Sequence, residues 1–350
     1  MKKKITLLLM LCMIFTLALA GCGSKDKSSK DATVKFTDSL GREVEVPENI
    51  ERVAVSGPLA QIPLFALCPD KLVGVATPWS EDAAEFIDEK YMKLPELGQL
   101  YGGKGELNLE TLLESNADVI IDIGEAKEGA AEDMDKIQEQ TGIPFVHIDA
   151  SLSTMGDAYK MLGDLLGMKD EAEKYAKYYD DTYSRNAKIA EKVEKKKALY
   201  ITGPEGHNVI AKGSFHGEVM DILTENLAVV DEPSSKGTGN EVGMEQILAW
   251  DPDYIIFAPD SIYDSVSTNP EWKNVKAIKE GHYYKVPMGP DNWMGYPPSA
   301  QRIMGMTWLA DTLYHDEANI NLKAETKKFY EMFYHAKLTD DQYKKLVGGK

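Results

Sequence analysis

The chain is 350 residues long, room for about two domains of ordinary size, each with a core of its own. Hydrophobic residues at 43% and charged residues at 27% match a soluble globular protein and exclude a disordered chain, a collagen-like fibre and a polytopic membrane protein. The formal charge of -18 disfavours nucleic acid as a partner, because only Lys2–Lys4 and Lys195–Lys197 form basic runs clear of acidic neighbours.

Lys2, Lys3 and Lys4 precede an apolar run from Ile5 to Ala20, the charged and hydrophobic regions of a secretory signal and too short for a comfortable spanning helix. The run closes in Leu19-Ala20-Gly21-Cys22, which resembles a bacterial lipobox: small residues admit the peptidase and the thiol accepts lipid. Residues 1–21 are therefore expected to be a signal peptide, with lipid on Cys22 and the product held outside the cell membrane. Removing them strips three lysines and no acid, so surface charge would not hold the product at an anionic bilayer. Residues 22–33 read as a flexible tether, since Gly23–Lys30 has no apolar side chain. With Cys12 in the signal and Cys22 lipidated, Cys68 has no partner for a disulfide and reads as a small buried hydrophobe.

Val34/Phe36 and Val44/Val46 flank Asp38-Ser39-Leu40-Gly41-Arg42, a hairpin with glycine in its turn. Strand-like runs follow at Arg52–Val55, Leu72–Ala76, Val119–Ile123 and Phe145–Ile148. Helical patterns lie between them at Leu59–Leu67, Glu81–Tyr91, Leu109–Ser115 and Ala130–Gln140. Residues 34–153 thus form one α/β lobe. Residues 154–197 contain no proline, and their pattern predicts a shorter helix to about Gly167 and a long one from Lys169 to about Lys195, a stiff spine. Residues 198–350 resume the alternation with strands at Leu199–Thr202, Val209–Ala211, Tyr254–Phe257 and Tyr283–Val286. The expected fold is α/β, two similar lobes with largely parallel sheets joined by one long spine helix.

An internal repeat ties the lobes together. Asn108-Leu109-Glu110-Thr111-Leu112-Leu113 leads to Asp118-Val119-Ile120-Ile121, and Gly243-Met244-Glu245-Gln246-Ile247-Leu248 leads to Asp253-Tyr254-Ile255-Ile256, with the same spacing from acid to acid. Two such lobes place a ligand site in the crevice between their strand ends. Cleft candidates fall on loops after strands: Trp79 after the second, Tyr101 before the first repeat helix, and in the second lobe His207, Phe215-His216 and Trp293-Met294. Their aromatic side chains suit a planar or bulky chelate, although Trp79 and Trp293 serve packing equally well, and Trp250, Trp272 and Trp308 read as packing residues.

The lipobox, the hairpin, both repeats, the spine, and the stretch Asn292-Trp293-Met294-Gly295-Tyr296-Pro297-Pro298-Ser299 through Arg302 and Trp308-Leu309 resemble the solute-binding lipoproteins of ABC importers for iron-siderophores, haem and cobalamin. The resemblance covers essentially the whole mature chain. It implies a monomeric receptor that captures a metal chelate, iron- or cobalt-containing, with no intrinsic cofactor, and delivers it to a permease dimer with its ATPase subunits. It further implies that Glu110 and Glu245 dock with permease arginines, where the plain alternative is that each acid only complements its helix dipole.

Arginine is scarce. Arg302 alone stands near Trp293, so the cargo leans toward a neutral or weakly charged complex, with Lys104 or Lys212 as partial substitutes. Arg302 touches ligand in this reading, or else pairs with an acid. His207 and His216 are the histidines that could ligate a metal directly, which keeps a receptor for a small metal complex open. A lipid-anchored hydrolase is the remaining alternative, though no nucleophile elbow, Walker loop or dinucleotide fingerprint is present.

Overall fold

The computed structural model describes residues 32–102 and 106–348; the signal segment, Cys22, the tether up to residue 31 and Lys104 lie outside them. Strands β1 (Thr33–Thr37) and β2 (Glu43–Pro47) pair antiparallel as the expected hairpin, with Gly41 at φ +78° in its turn. The buried Asp38 carboxylate accepts from the Leu40 and Arg42 amides at 3.0 and 2.9 Å and pairs with the Arg42 guanidinium. Arg42 also donates to the Phe145 carbonyl at 2.5 Å, which docks the hairpin on the first sheet.

That sheet consists of β3 (Val53–Val55), followed by helix α1 (Pro58–Leu67) and α2 (Leu109–Glu114), then β4 (Val119–Gly124), α3 (Ala130–Thr141) and β5 (Phe145–Asp149). Its order is β3-β4-β5, all parallel. Pro58 opens α1, where a missing N–H costs nothing, and the helix is apolar nearly all round because it is central to the core. Two expectations need correction. Leu72–Ala76 makes only single bridges, at Leu72 and Val75, because Gly74 sits in its middle against Leu97 and the Pro95 carbonyl. Glu81–Tyr91 breaks into a 3₁₀ turn at Glu81–Glu85 and one helical turn at Glu89–Met92, restarted by Asp88, whose side chain caps the Lys90 amide.

Helices α4 (Met155–Leu166) and α5 (Lys169–Lys192) form the link, α5 being the 24-residue spine. The second lobe follows with β6 (Lys197–Thr202), β7 (Asn208–Val209), α6 (Glu218–Leu223), β8 (Glu225–Asn226), β9 (Asn240–Glu241), α7 (Met244–Trp250), β10 (Tyr254–Phe257), α8 (Lys276–Glu280) and β11 (Tyr283–Lys285). Its sheet runs β11-β10-β6-β7-β9, parallel around β6 and antiparallel where β7 and β9 close the edge. Among the described residues no helix is long and apolar enough to cross a membrane.

Strand alternation divides the burial. Leu199, Ile201, Ile255 and Phe257 face a core confined to the second lobe, whereas Ala198, Tyr200 and Ile256 face a core that continues through the spine into the first sheet. Spine side chains lock this continuity. Tyr175 Oη donates to the Ala66 and Met332 carbonyls at 2.6 and 2.9 Å, and Asn186 Nδ2 donates to Thr307 Oγ1 at 2.9 Å.

The closing helices are α9 (Arg302–Leu313), α10 (Leu322–Phe333) and α11 (Asp340–Val347). The sequence division assigns everything after residue 198 to the second lobe, yet α10 and α11 lie against the first. The Phe333 ring meets Tyr159 and Tyr175, His335 Nε2 hydrogen-bonds the Phe65 carbonyl, and Gln342 and Lys345 reach Glu85. The aromatic stripe of Phe329, Tyr330 and Phe333 announces burial but not which lobe receives it.

A core shared by both lobes resists hinge bending. Small-angle scattering with and without a bound chelate is therefore expected to give nearly equal radii of gyration. A contraction of several ångströms would contradict the rigid spine.

Candidate functional site

The crevice opens where both sheets end. One wall is Glu125, Asp149, Ala150 and Ser151, the residues that end or follow β4 and β5; the other is Gly213, Ser214, Phe215 and Glu218, before and at the start of α6. They enclose about 290 Å³. Gly124, at φ +135°, turns the chain out of β4, and its carbonyl accepts from the Ala150 amide at 3.1 Å, which holds the two strand ends side by side. Opposite, the Ser214 hydroxyl and the Gly217 amide close a tight turn on Ala211 and Ser214. The walls touch where the Leu152 amide donates to Glu218 Oε2 at 3.2 Å, and Ser299 Oγ ties the second lobe to the Leu59 carbonyl at 2.6 Å.

The lining carries three carboxylates and no cation. Glu125 pairs with Lys127 at 2.8 Å, and Glu218 with Arg302 Nη1 at 2.8 Å. Arg302 is only 1% exposed; its Nη1 also donates to the Phe215 carbonyl at 2.6 Å and its guanidinium lies 4.6 Å from the Phe215 ring centre. It stands behind the wall and holds two crevice residues in place through Nη1.

A row of polar groups crosses the first sheet: Ser56 Oγ donates to Asp122, whose other oxygen meets His147 Nδ1 at 2.7 Å. The carboxylate stands between hydroxyl and imidazole, so the histidine cannot take the serine proton, and the row is not a hydrolytic triad. Cys68 is equally unsuited as a nucleophile, since burial pushes its thiol up to about 12.

Residues 68–288 match the periplasmic binding protein family. The chain belongs to that family. Its members work beside ABC-transporter permease and ATPase components. This periplasmic binding protein is 25% identical over 305 residues to the iron-uptake system-binding protein of Bacillus subtilis, covering 81% of this chain and 90% of the relative. It is 23% identical over 298 residues to the iron(3+)-hydroxamate-binding protein FhuD of the same organism, covering 79% and 89%. Among solved structures, an ABC transporter solute binding protein from Sulfurospirillum deleyianum superposes with a TM-score of 0.81 at 25% identity, over 91% of this chain and 99% of that one.

In this binding protein Phe215 is the one cleft candidate of the sequence that lines the 290 Å³ crevice; Trp79, Tyr101, His207, His216, Trp293, Met294 and Arg302 do not. Trp293 and Met294 are fully buried in the shared core, because packing draws these large apolar side chains of the loop inward and away from the crevice. Trp79 is half-buried, edge-on to Phe65 at 5.4 Å between centroids. Tyr101 donates to Asp133 Oδ2 at 3.2 Å on the first lobe. His207 and His216 have no common partner: His207 meets Glu271 at 3.2 Å, whereas His216 is buried with Nδ1 on the Gly295 carbonyl at 2.8 Å. Burial lowers the His216 pKa against the opposing pull of that carbonyl, so the ring is neutral at pH 7. Among the described residues no group of three or more His, Cys, Asp or Glu could hold a metal ion. Trp272 and Trp308 are buried and Trp250 packs on the second core, as expected.

Sequence reasoning reached the loop of Phe215 but missed Glu125, Asp149 and Glu218. The available signal was position: the first two end or follow parallel strands, where open α/β sheets bind ligands.

Against α10, burial raises the Asp291 carboxyl to about 6, and a hydrogen bond from Tyr334 Oη at 3.1 Å only partly offsets this. The folded state therefore binds that proton more tightly than the unfolded chain does, so stability rises as pH falls through about 6 toward the ordinary carboxylate range near 4. Asp291→Asn is expected to raise stability at pH 7.5 by roughly 2 kcal/mol and to flatten the pH dependence between about 4 and 6. Denaturant titrations of both proteins at pH 4.5 and 7.5 measure it; equal slopes of stability against pH would contradict the assignment.

Proposed function

We propose that this protein is the extracytoplasmic receptor of an ABC importer, held at the cell membrane by lipid on Cys22. It captures a metal chelate between its lobes and presents it to a permease through Glu110 and Glu245. The observation that carries the reading is the crevice itself, whose two walls come from the two lobes at the strand ends. The iron-named relatives support an iron complex as cargo. The acidic lining, with Arg302 already engaged, favours a neutral or cationic complex over a polyanionic one.

A panel of a neutral ferric trihydroxamate, a cationic ferric trihydroxamate, ferric citrate, haem and cobalamin tests this by thermal unfolding. A neutral or cationic complex at one hundred times its Kd is expected to add about 2.7 kcal/mol of stability, with ferric citrate weaker by tenfold or more. Stabilisation by no member of the panel, or by ferric citrate alone, would refute the cargo assignment.

A further inference from the structure

The repeated helices α2 and α7 agree in burial as well as in sequence. Leu112 and Ile247 are fully buried, Leu109 and Met244 are half-buried against their cores, and Glu110 and Glu245 are exposed. Leu113 and Leu248 are 49% and 50% exposed. An exposed leucine is ordinary by itself. Two of them at the same register, each three residues after an exposed glutamate and hence on the same helix face, are not required by the fold, which buries its leucines at the neighbouring position. Neither carboxylate pairs with a cation among the described residues.

Backbone contacts place both helix starts at the crevice end of their sheets. The Asn108 amide donates to the Leu97 carbonyl at 2.8 Å and the Leu100 amide to Ser56 at 2.7 Å, just beyond β3; the Val242 amide donates to His207 at 2.8 Å, beyond β6. The following strands begin at the far end, where Asp118 bonds Arg52 and Asp253 bonds Lys197. Each lobe thus offers one acid with one apolar side chain beside it at its crevice end.

We propose that Leu113 and Leu248 are paired apolar anchors for the two equivalent subunits of the permease, each seated in an apolar pocket beside the guanidinium that meets Glu110 or Glu245. The inference rests on the receptor reading above. The acids supply orientation and encounter rate, and the leucines supply the desolvated contact that slows release. The duplication argues for a partner with two like subunits, since a single asymmetric protein would have no use for the same pair twice.

The test places a photoreactive benzoylphenylalanine at position 114 or 249, exposed neighbours of the leucines, in the full-length protein within cells of its source bacterium. In the parent, both positions are expected to trap one polytopic membrane protein, identified by mass spectrometry as an ABC permease subunit. A probe at Lys177 on the spine should trap none. Leu113→Ser with Leu248→Ser should lower that yield at least tenfold at unchanged melting temperature, given roughly half a leucine side chain of area buried at each site. Full yield in the serine variant alongside lost yield in Glu110→Ala with Glu245→Ala would overturn the leucine anchors and leave the receptor reading standing. Trapping of a second copy of this chain would overturn the anchors in favour of self-association. Trapping of no membrane protein by the parent would overturn both.

Discussion

Cells carrying Glu110→Ala together with Glu245→Ala are expected to lose cargo uptake by about a hundredfold or more, while the purified protein folds normally and binds its chelate unchanged. The structural cost is small because both acids are exposed in the first turn of short helices, where the dipole contribution is about 0.3 to 1 kcal/mol apiece. The transport cost is large under the docking proposed above, because truncating a charge that meets a buried guanidinium strands that partner without compensation, at about 2 to 5 kcal/mol per site. Ligand titration of the double variant, paired with accumulation of radiolabelled cargo in cells, separates the two effects. Normal uptake would mean that the repeat records duplication of the lobe and nothing about docking. Lost cargo affinity would move both acids into the crevice.

The second large effect is expected at Arg302. Arg302→Ala should destabilise the fold by about 3 kcal/mol, since breaking a buried ion pair leaves the other charge uncompensated; the quarter exposure of Glu218 keeps the figure at the low end. Arg302→Lys should rescue little, because one ammonium cannot serve the Glu218 carboxylate, the Phe215 carbonyl and the Phe215 ring together. Combining Arg302→Met with Glu218→Gln should recover part of the loss by removing the stranded charge. Denaturant midpoints of the three variants and the parent measure this. A near-neutral Arg302→Ala would show that the pair contributes nothing, and an unchanged chelate affinity would show that Phe215 and Glu218 need no support from behind.

Most of the architecture was legible because its signals are local. The apolar run at Tyr254–Phe257 coincides with β10 residue for residue, and Asn108 caps α2 through the Thr111 amide as its residue type implies. The site was much less legible. Trp293, Met294 and Arg302 all lie in the stretch that the sequence singled out, yet which way a side chain points from such a loop depends on distant partners: Tyr330 and its neighbours for Trp293, Phe215 and Glu218 for Arg302. Glu125 and Asp149 read as two acids among many until β4 and β5 are placed side by side. The same limit explains why the packing of α10 on α1 was not foreseen, since an amphipathic stripe states how much is buried and not what buries it.

The return of α10 and α11 to the first lobe also sets an order of assembly. Helix α1 is among the earliest elements made, and α10 and the His335 ring, which pack on it, are among the last. A chain exported from its N-terminus, as proposed above, cannot complete its first lobe until nearly all of it has crossed. Until then one face of a strongly apolar helix stays bare, a target for chaperones and a hazard for aggregation. The long sequence separation of these contacts makes closure of the shared core a slow step.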